Sequence, residues 1–546
     1  MKRFPVTVAV VVLVWAVAFF IGSGIGNGLT GSPSSSPSAP IAQLPTAATS
    51  ATPTGSPAEP TDSGQPIEPS PTPSTTTIAD VPIVAVTQFR STRVRTTAAE
   101  VTAVLAGTSP TYEALELVAG EADAILAALD MKRPADATQL ILADDAATLT
   151  KDLAKHRKRL AFLRADAVGP AVRALGWGSK SLFGVGRVTA LGKWTLTARL
   201  PETPGAGFDP AQTWTLVAGG DIMLDRGVAQ TIKIRGKGVD FPFDGGTAEI
   251  TSRYCCSSFG WDLPKTRRTG GAGTVRDLVK GADLAIANFE NPAPNNFSYH
   301  THGTVFSADP KLIKGLANAG IDYVGVANNH IGDAGRAGIL QTIANLKANG
   351  IVSSGAGKNV AAAHKPALLT AGGVRVGILA YDTIAKYYGA GTAKAGSALL
   401  TAKALKTDIA AARKAGADVV IVFPHWGTEY DPTPFNGQQA LARAAIDAGA
   451  DMVIGIHAHW AGALETYKGH PIWYALGNFV FDQTWSEPTM EGLTLELTFR
   501  GADLVQARMR PHIILDKAQP NFLDPAGDGR VVLGQVFDAS KGLLAW

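Results

Sequence analysis

Six side chains suited to holding a divalent cation stand at the ends of short apolar runs in this chain: Asp221, Glu290, Asn329, His425, His457 and His459. Four times a Gly, a small or apolar residue and an Asp precede such a run, and a polar cluster follows six to eight residues past the Asp. The copies lead from Gly281-Ala282-Asp283 to Asn288-Phe289-Glu290-Asn291-Pro292 and from Gly320-Ile321-Asp322 to Asn328-Asn329-His330. They continue from Gly416-Ala417-Asp418 to His425-Trp426-Gly427 and from Gly449-Ala450-Asp451 to His457-Ala458-His459. Carboxylate, amide oxygen and imidazole together are the ligand set of Mn, Fe and Zn. One or two such ions would lower the pKa of water enough for hydrolysis at neutral pH.

Further roles follow around that set. Asp221 and His330 are the candidate catalytic residues, His330 as the proton donor to a leaving group. Arg226 reads either as a contact for an anionic substrate or as a surface arginine. Asn478 either orients substrate or caps its Gly477-Asn478 turn.

The elements that must position these residues follow from the spacing. A helix-stopping Gly, a buried strand and then a reactive loop give the repeated pattern. Open α/β sheets place their chemistry beyond the carboxyl ends of the strands, so the clusters are expected to converge on one rim. Amphipathic runs at residues 404–414 and 438–448 read as intervening helices, and residues 493–499 and 505–510 as a hairpin turning at Gly501. The expected core is a mainly parallel sheet finished by antiparallel strands.

At 546 residues the chain is too long for one compact core, and two folded domains are expected. The net charge of +3 implies no general affinity for nucleic acid. Adjacent Cys255 and Cys256 are the only cysteines, which excludes a disulfide framework and a cysteine zinc site and leaves packing or a minor redox role. Lys265, Arg267 and Arg268 read as a solvated loop, or else as a patch for an anionic substrate.

Lys2 and Arg3 precede an apolar stretch, and no charged residue returns until Glu59. Residues 1–31 therefore read as a single-pass membrane anchor or an uncleaved signal, with the bulk of the chain outside the cell membrane. Residues 32–80 are mostly Ser, Thr and Pro with no aromatic residue, the composition of a disordered stalk. Residues 81–205 alternate strand-like and helix-like runs, residues 152–163 reading as a helix, and suggest a small α/β domain. Its Phe89-Arg90-Ser91-Thr92-Arg93 segment is either an anion-binding loop or a plain turn. Residues 201–210 read as a linker, 214–516 as the second domain and 517–546 as a C-terminal tail.

The motifs Gly220-Asp221-Ile222-Met223-Leu224 with Arg226, Asn288-Phe289-Glu290-Asn291-Pro292, Ala327-Asn328-Asn329-His330, His425-Trp426-Gly427-Thr428-Glu429-Tyr430, Gly455-Ile456-His457-Ala458-His459 and Tyr474-Ala475-Leu476-Gly477-Asn478-Phe479 together resemble the capsule synthesis protein CapA family. The resemblance implies a calcineurin-like metallophosphatase fold, a four-layer αββα sandwich, and a link to poly-gamma-glutamate biosynthesis. It implies that Asp221 is the first carboxylate ligand and that Glu290 stands where phosphoesterases place a bridging Asp. Asn329 with His330, the isolated His425, and His457 with His459 match the remaining ligand motifs. One departure is Met223, where phosphoesterases carry a ligand His.

The function expected is a membrane-anchored extracellular protein that makes, exports or anchors poly-gamma-glutamate or a related anionic polymer. Its partners would be the membrane and the polymer's synthesis or export proteins. The alternatives are an extracellular metal-dependent phosphoesterase and a non-catalytic scaffold of a polymer-export complex.

Overall fold

The computed structural model describes residues 77–202 and 207–546. The expected anchor and nearly all of the expected stalk fall on residues 1–76, outside the described residues. Among the described residues no helix is long and apolar enough to cross a membrane.

Residues 77–202 are built around β1 (Ile78–Gln88), whose buried run from Val81 to Thr87 suits the interior of a sheet. Around it stand β2 (Ala114–Val118), β3 (Leu140–Ala143), α1 (Ala146–Lys155), β4 (Arg159–Arg164), β5 (Val172–Ala174) and β6 (Thr197–Pro201). The strand order is β3-β2-β4-β1-β5, with β6 also pairing β1. The run 152–163, expected to be helical, is divided. Helix α1 ends at Lys155, and residues 160–163 form the buried centre of β4 against β1. A short apolar run is ambiguous between helix and strand until its neighbour is known.

The larger part begins with β7 (Thr213–Ile222), buried along its whole length. The chain continues through β8 (Thr247–Tyr254), β9 (Leu263–Gly270), α2 (Thr274–Lys280), β10 (Leu284–Phe289), α3 (Ile313–Ala319), β11 (Tyr323–Gly325), α4 (Gly335–Ala348) and β12 (Val352–Ser354). Next come β13 (Ala367–Ala371), β14 (Val374–Asp382), α5 (Ala402–Lys414), β15 (Val419–His425), α6 (Asn436–Asp447), β16 (Met452–Ile454), β17 (Leu464–Tyr467) and β18 (His470–Trp473). The chain finishes with β19 (Asn478–Val480), β20 (Glu491–Arg500), β21 (Asp503–Leu515), β22 (Gln519–Leu523) and α7 (Gly529–Ala539). One sheet runs β9-β8-β22-β21-β20-β7-β10-β11-β12 with β19 on β7, and the other runs β13-β14-β15-β16-β18-β17.

Side chains from both sheets meet in one core, Leu216, Ile286 and Leu495 from the first with Ile378, Ile421 and Ile454 from the second. The outer face of the first sheet packs on α2, α3 and α4 through Val275, Leu316 and Ile339. The outer face of the second packs on α5 and α6 through Leu405, Ile409 and Ala442. The order is helices, sheet, sheet, helices. Residues 517–546, set apart above as a tail, supply β22 to the large sheet and α7, whose Val532 and Val536 enter the shared core.

The four Gly-x-Asp copies have a common structural task. Asp283, Asp322, Asp418 and Asp451 each accept, through Oδ2, the backbone N–H of one residue on the neighbouring strand or at its start: Thr215, Ala285, Arg375 and Val420, at 2.6–2.8 Å. Each of those Asp residues also donates its own N–H to the carbonyl of that same residue. The clasp fixes where each parallel strand starts against its neighbour, and so where it ends.

Two expectations are corrected. Cys255 and Cys256 are exposed at the tip of the β8–β9 hairpin and bonded to each other, so they pack against no core. Lys265, Arg267 and Arg268 lie on strand β9 rather than in a loop. Arg267 pairs with Glu249, and Arg268 with Asp516 and Gln519, while Lys265 Nζ lies 5.8 Å from the Tyr254 ring centroid.

Candidate metal centre

Asp221 sits near the end of β7, in register with Asn288 on β10 and Asn478 on β19, so three parallel strands present their polar residues side by side. Close approach makes this possible. A Cβ on Gly220 would meet the carbonyl oxygen of Gly477 at 1.8 Å, and Gly477 itself has φ +74°. Glu290 follows β10 directly, His425 ends β15, and His457 and His459 follow β16. The structure brings all six proposed ligands together at these strand ends.

Two donor groups result: Glu290, His425 and His457, and Asp221, Glu290 and His459, the carboxylate of Glu290 being common to both. In the first, His425 Nε2 lies 2.7 Å from Asn329 Oδ1, 2.9 Å from His457 Nδ1 and 3.5 Å from Glu290 Oε1. Donors about 2.0–2.2 Å from one divalent ion, at tetrahedral to octahedral angles, lie about 2.8–3.6 Å apart. The spacing fits. In the second, His459 Nδ1 is 3.7 Å from Asp221 Oδ2, and its Nε2 is 3.8 Å from Glu290 Oε1. His457 and His459 both have positive φ, 96° and 57°, the kind of strain that collects at functional sites.

Electrostatics point the same way. Burial, and after it the charge of Asp221, pushes the Glu290 carboxyl well above its usual range. Burial pushes Asp221 up to about 7 against the hydrogen bonds from Asn288 and the His457 N–H. Burial lowers His425 and His457 well below the imidazole range, with neighbouring imidazoles adding to it, and takes His459 down to about 3. Imidazoles that resist protonation keep a lone pair for a cation.

The remaining candidates are placed as follows. His330 Nδ1 lies 2.9 Å from Asp333 Oδ2, and its Nε2 lies 3.0 Å from Asn329 Nδ2. Asn478 is fully buried. Its Oδ1 meets His459 Nδ1 at 2.8 Å, and its Nδ2 donates to Thr489 O and Gln483 Oε1. These contacts hold His459 and leave no amide atom for substrate. Arg226 pairs with Asp482, donates to Gly303 O at 2.7 Å, and lies 4.8 Å from the Phe306 ring centroid. Met223 Sδ accepts from the Asp225 backbone N–H at 3.0 Å.

Three residues were missed. Asn288 Nδ2 donates to Asp221 Oδ1 at 2.7 Å, Asn328 accepts the His330 N–H, and Asp333 orients the His330 ring. Asn288 and Asn328 lay inside the quoted motifs. Asp333 had only its position three residues past His330 as a signal.

The family model described as Bacterial capsule synthesis protein PGA_cap matches residues 215–483. The Capsule biosynthesis protein CapA of Bacillus anthracis is 33% identical over 280 residues, 50% of this chain and 67% of that protein. A protein of Mycobacterium tuberculosis titled "Probable polyglutamine synthesis accessory protein" is 30% identical over 292 residues, 49% of this chain and 74% of that one. The chain belongs to the bacterial capsule synthesis protein family. The PGA biosynthesis protein CapA of Bacillus subtilis (strain 168) is 31% identical over 215 residues, and the chain spans 57% of its length. Every candidate donor lies inside the matched span, and residues 77–202 lie outside it. Among solved structures, the calcineurin-like phosphoesterase YfkN from Bacillus subtilis shares 13% identity at TM-score 0.31, covering 60% of this chain and 97% of that one. The 5'-nucleotidase precursor from Thermus thermophilus shares 14% at TM-score 0.33, covering 55% and 54%.

Proposed function

We propose that this protein makes, exports or anchors poly-gamma-glutamate or a related anionic capsule polymer, at a hydrolase-like site that holds one or two divalent cations. Family membership supports the polymer, since the Bacillus relatives are named for capsule and PGA biosynthesis. In this reading the layered sheets are a metallophosphatase-like αββα sandwich. Residues 1–31 anchor the chain in the membrane, and the bulk of it faces outward among the polymer's synthesis or export proteins.

The observation that carries the metal reading is Glu290. Both of its carboxylate oxygens are buried, neither has a hydrogen-bond partner, and it belongs to both donor groups. An unpartnered buried carboxylate costs on the order of several kcal/mol, which a cation relieves. His425, Asn329, His457 and Glu290 would hold one ion. Asp221, Glu290 and His459 would hold a second, with one ligand fewer because Met223 offers none. Bound divalent cations supply Lewis acidity, acidifying water and offsetting negative charge as it develops. The chain's own residues do the rest. Asn288 holds Asp221, and Asn478 holds His459. The His330 ring is held at both nitrogens, Nδ1 by Asp333 and Nε2 by the Asn329 amide, so proton exchange at Nε2 would require the Asn329 contact to open.

Full-length protein purified without chelator is expected to contain Mn, Fe or Zn. Glu290→Gln and the pair His457→Ala with His459→Ala should each reduce that content, and chelation should lower the parent's melting temperature. Metal-free protein whose melting is indifferent to chelator would overturn the metal reading. In cells, His330→Ala should lower surface polymer at unchanged protein level. Unchanged polymer would favour a scaffold.

A further inference from the structure

Outside the span shared with the capsule synthesis relatives, residues 77–202 carry the chain's densest run of positive charge, Lys155-His156-Arg157-Lys158-Arg159. Helix α1 ends there. The helix dipole favours a cation in the last turn, which accounts for Lys155 but not for Lys151 or Arg157.

Two hollows meet at this point. One, about 380 Å³, is lined by Arg90, Lys151, Lys155 and Arg157, with Phe89 and Trp546 also in its lining. The other, about 540 Å³, is lined by Lys155, Arg157, Lys158 and Arg159 among others. Lys155 and Arg157 wall both. Counter-charges are few: Glu113 holds Lys158 at 2.8 Å, Glu116 holds Arg159 at 2.9 Å, and Asp152 stands 3.9 Å from Lys155. Among the described residues, Arg90, Lys151 and Arg157 have no ion-pair partner, and Arg90 is set 4.9 Å from the Phe537 ring centroid instead. Partial burial, followed by the charge of Arg157, lowers the Arg90 pKa. Like charges gathered in a concavity repel one another and are relieved by an anion. With a net charge of only +3 on the whole chain, the concentration is local.

We propose that the two hollows form one continuous track that binds a polyanion bearing carboxylates; that this is the capsule polymer rests on the function proposed above. Sites for single-stranded nucleic acid interleave cations with open aromatic faces. Here Phe89 is buried, and the half-buried Trp546, packed edge-on against it at 5.1 Å, is a lone aromatic ring beside four cations rather than an interleaved series. Of the two arginines in the Phe89–Arg93 segment, only Arg90 faces the track. Arg93 donates to Thr111 and lines a separate hollow.

The test titrates labelled poly-gamma-glutamate of defined length with full-length protein at several salt concentrations. Lys151→Glu combined with Arg157→Glu is expected to weaken binding about tenfold or more and to flatten its salt dependence. Melting temperature and metal content should stay at the parent's values, and Lys151→Gln with Arg157→Gln provides a milder pair under the same criterion. Unchanged affinity in both pairs overturns the track, as does equal displacement of the polymer by single-stranded DNA of matched charge. Metal content measured on the same Lys151 and Arg157 variants reads loss of the track separately from loss of the metal centre.

Discussion

The two ring nitrogens of His459 have different neighbours, and the difference assigns Asn478 its task. Nδ1 meets Asn478 Oδ1 at 2.8 Å, which leaves Nε2 facing Glu290. Partners of this kind fix the orientation of a metal-binding imidazole, and losing one weakens the metal about 10–100-fold. Asn478→Ala is expected to weaken Mn or Zn binding by about that factor in calorimetric titration of chelator-stripped protein. Asn478→Asp, which keeps the acceptor, should recover most of it; affinity indifferent to Asn478→Ala would return the residue to a turn cap. The six candidate donors that gather here were legible because few residue types bind such ions and each stood at the end of an apolar run. The supporting contacts of Asn288, Asp333 and Asn478 were not, because they depend on which strand lies beside which.

Strand register is what brings distant residues to one place. The Asp clasps were visible in the sequence as a repeat, but their meaning was not, since each partner lies on another strand, from 31 to 68 residues away. The buried strands and the β20–β21 hairpin could be read from apolar runs and a Gly turn. The division of residues 152–163 could not, since β1 decides it. Two substitutions separate the roles of register and contact. Asp322→Ala removes one clasp and should cost about 1 kcal/mol in denaturant unfolding while metal content holds. Gly220→Ala instead forces a Cβ into the Gly477 carbonyl, which must part β7 from β19 and carry Asp221 away from His459. Metal content is therefore expected to fall in Gly220→Ala. Full metal content there would show that the site tolerates a shift between these strands.

The described residues form one compact unit, although residues 77–202 have a sheet of their own. Part of the seam is polar. Glu496 on β20 is fully buried, receives the Val185 N–H at 2.6 Å and pairs with Arg510 at 2.6 Å. Arg508 stands 4.0 Å away, and Gly184 donates to Thr498 beside it. Burial and then the charge of Arg508 push Arg173, across the seam, down to about 9, so one carboxylate stands among three arginines. Removing it leaves those cations facing each other in a buried place, a change that costs about 3–5 kcal/mol. Glu496→Ala is expected to lose about that much in denaturant unfolding and to divide the transition between the two parts. A single transition at the parent's midpoint would mean that the apolar contacts alone hold the seam. The pH dependence has a definite sign. Burial would raise the Glu496 carboxyl, but Arg510 and Arg508 outweigh it and hold the group below its ordinary 4.5. A depressed carboxyl contributes fully above its unfolded pKa, and the contribution is lost as pH falls through the folded value. The parent's seam should therefore weaken on acidification below pH 4.5, and Glu496→Gln should remove that part of the acid sensitivity.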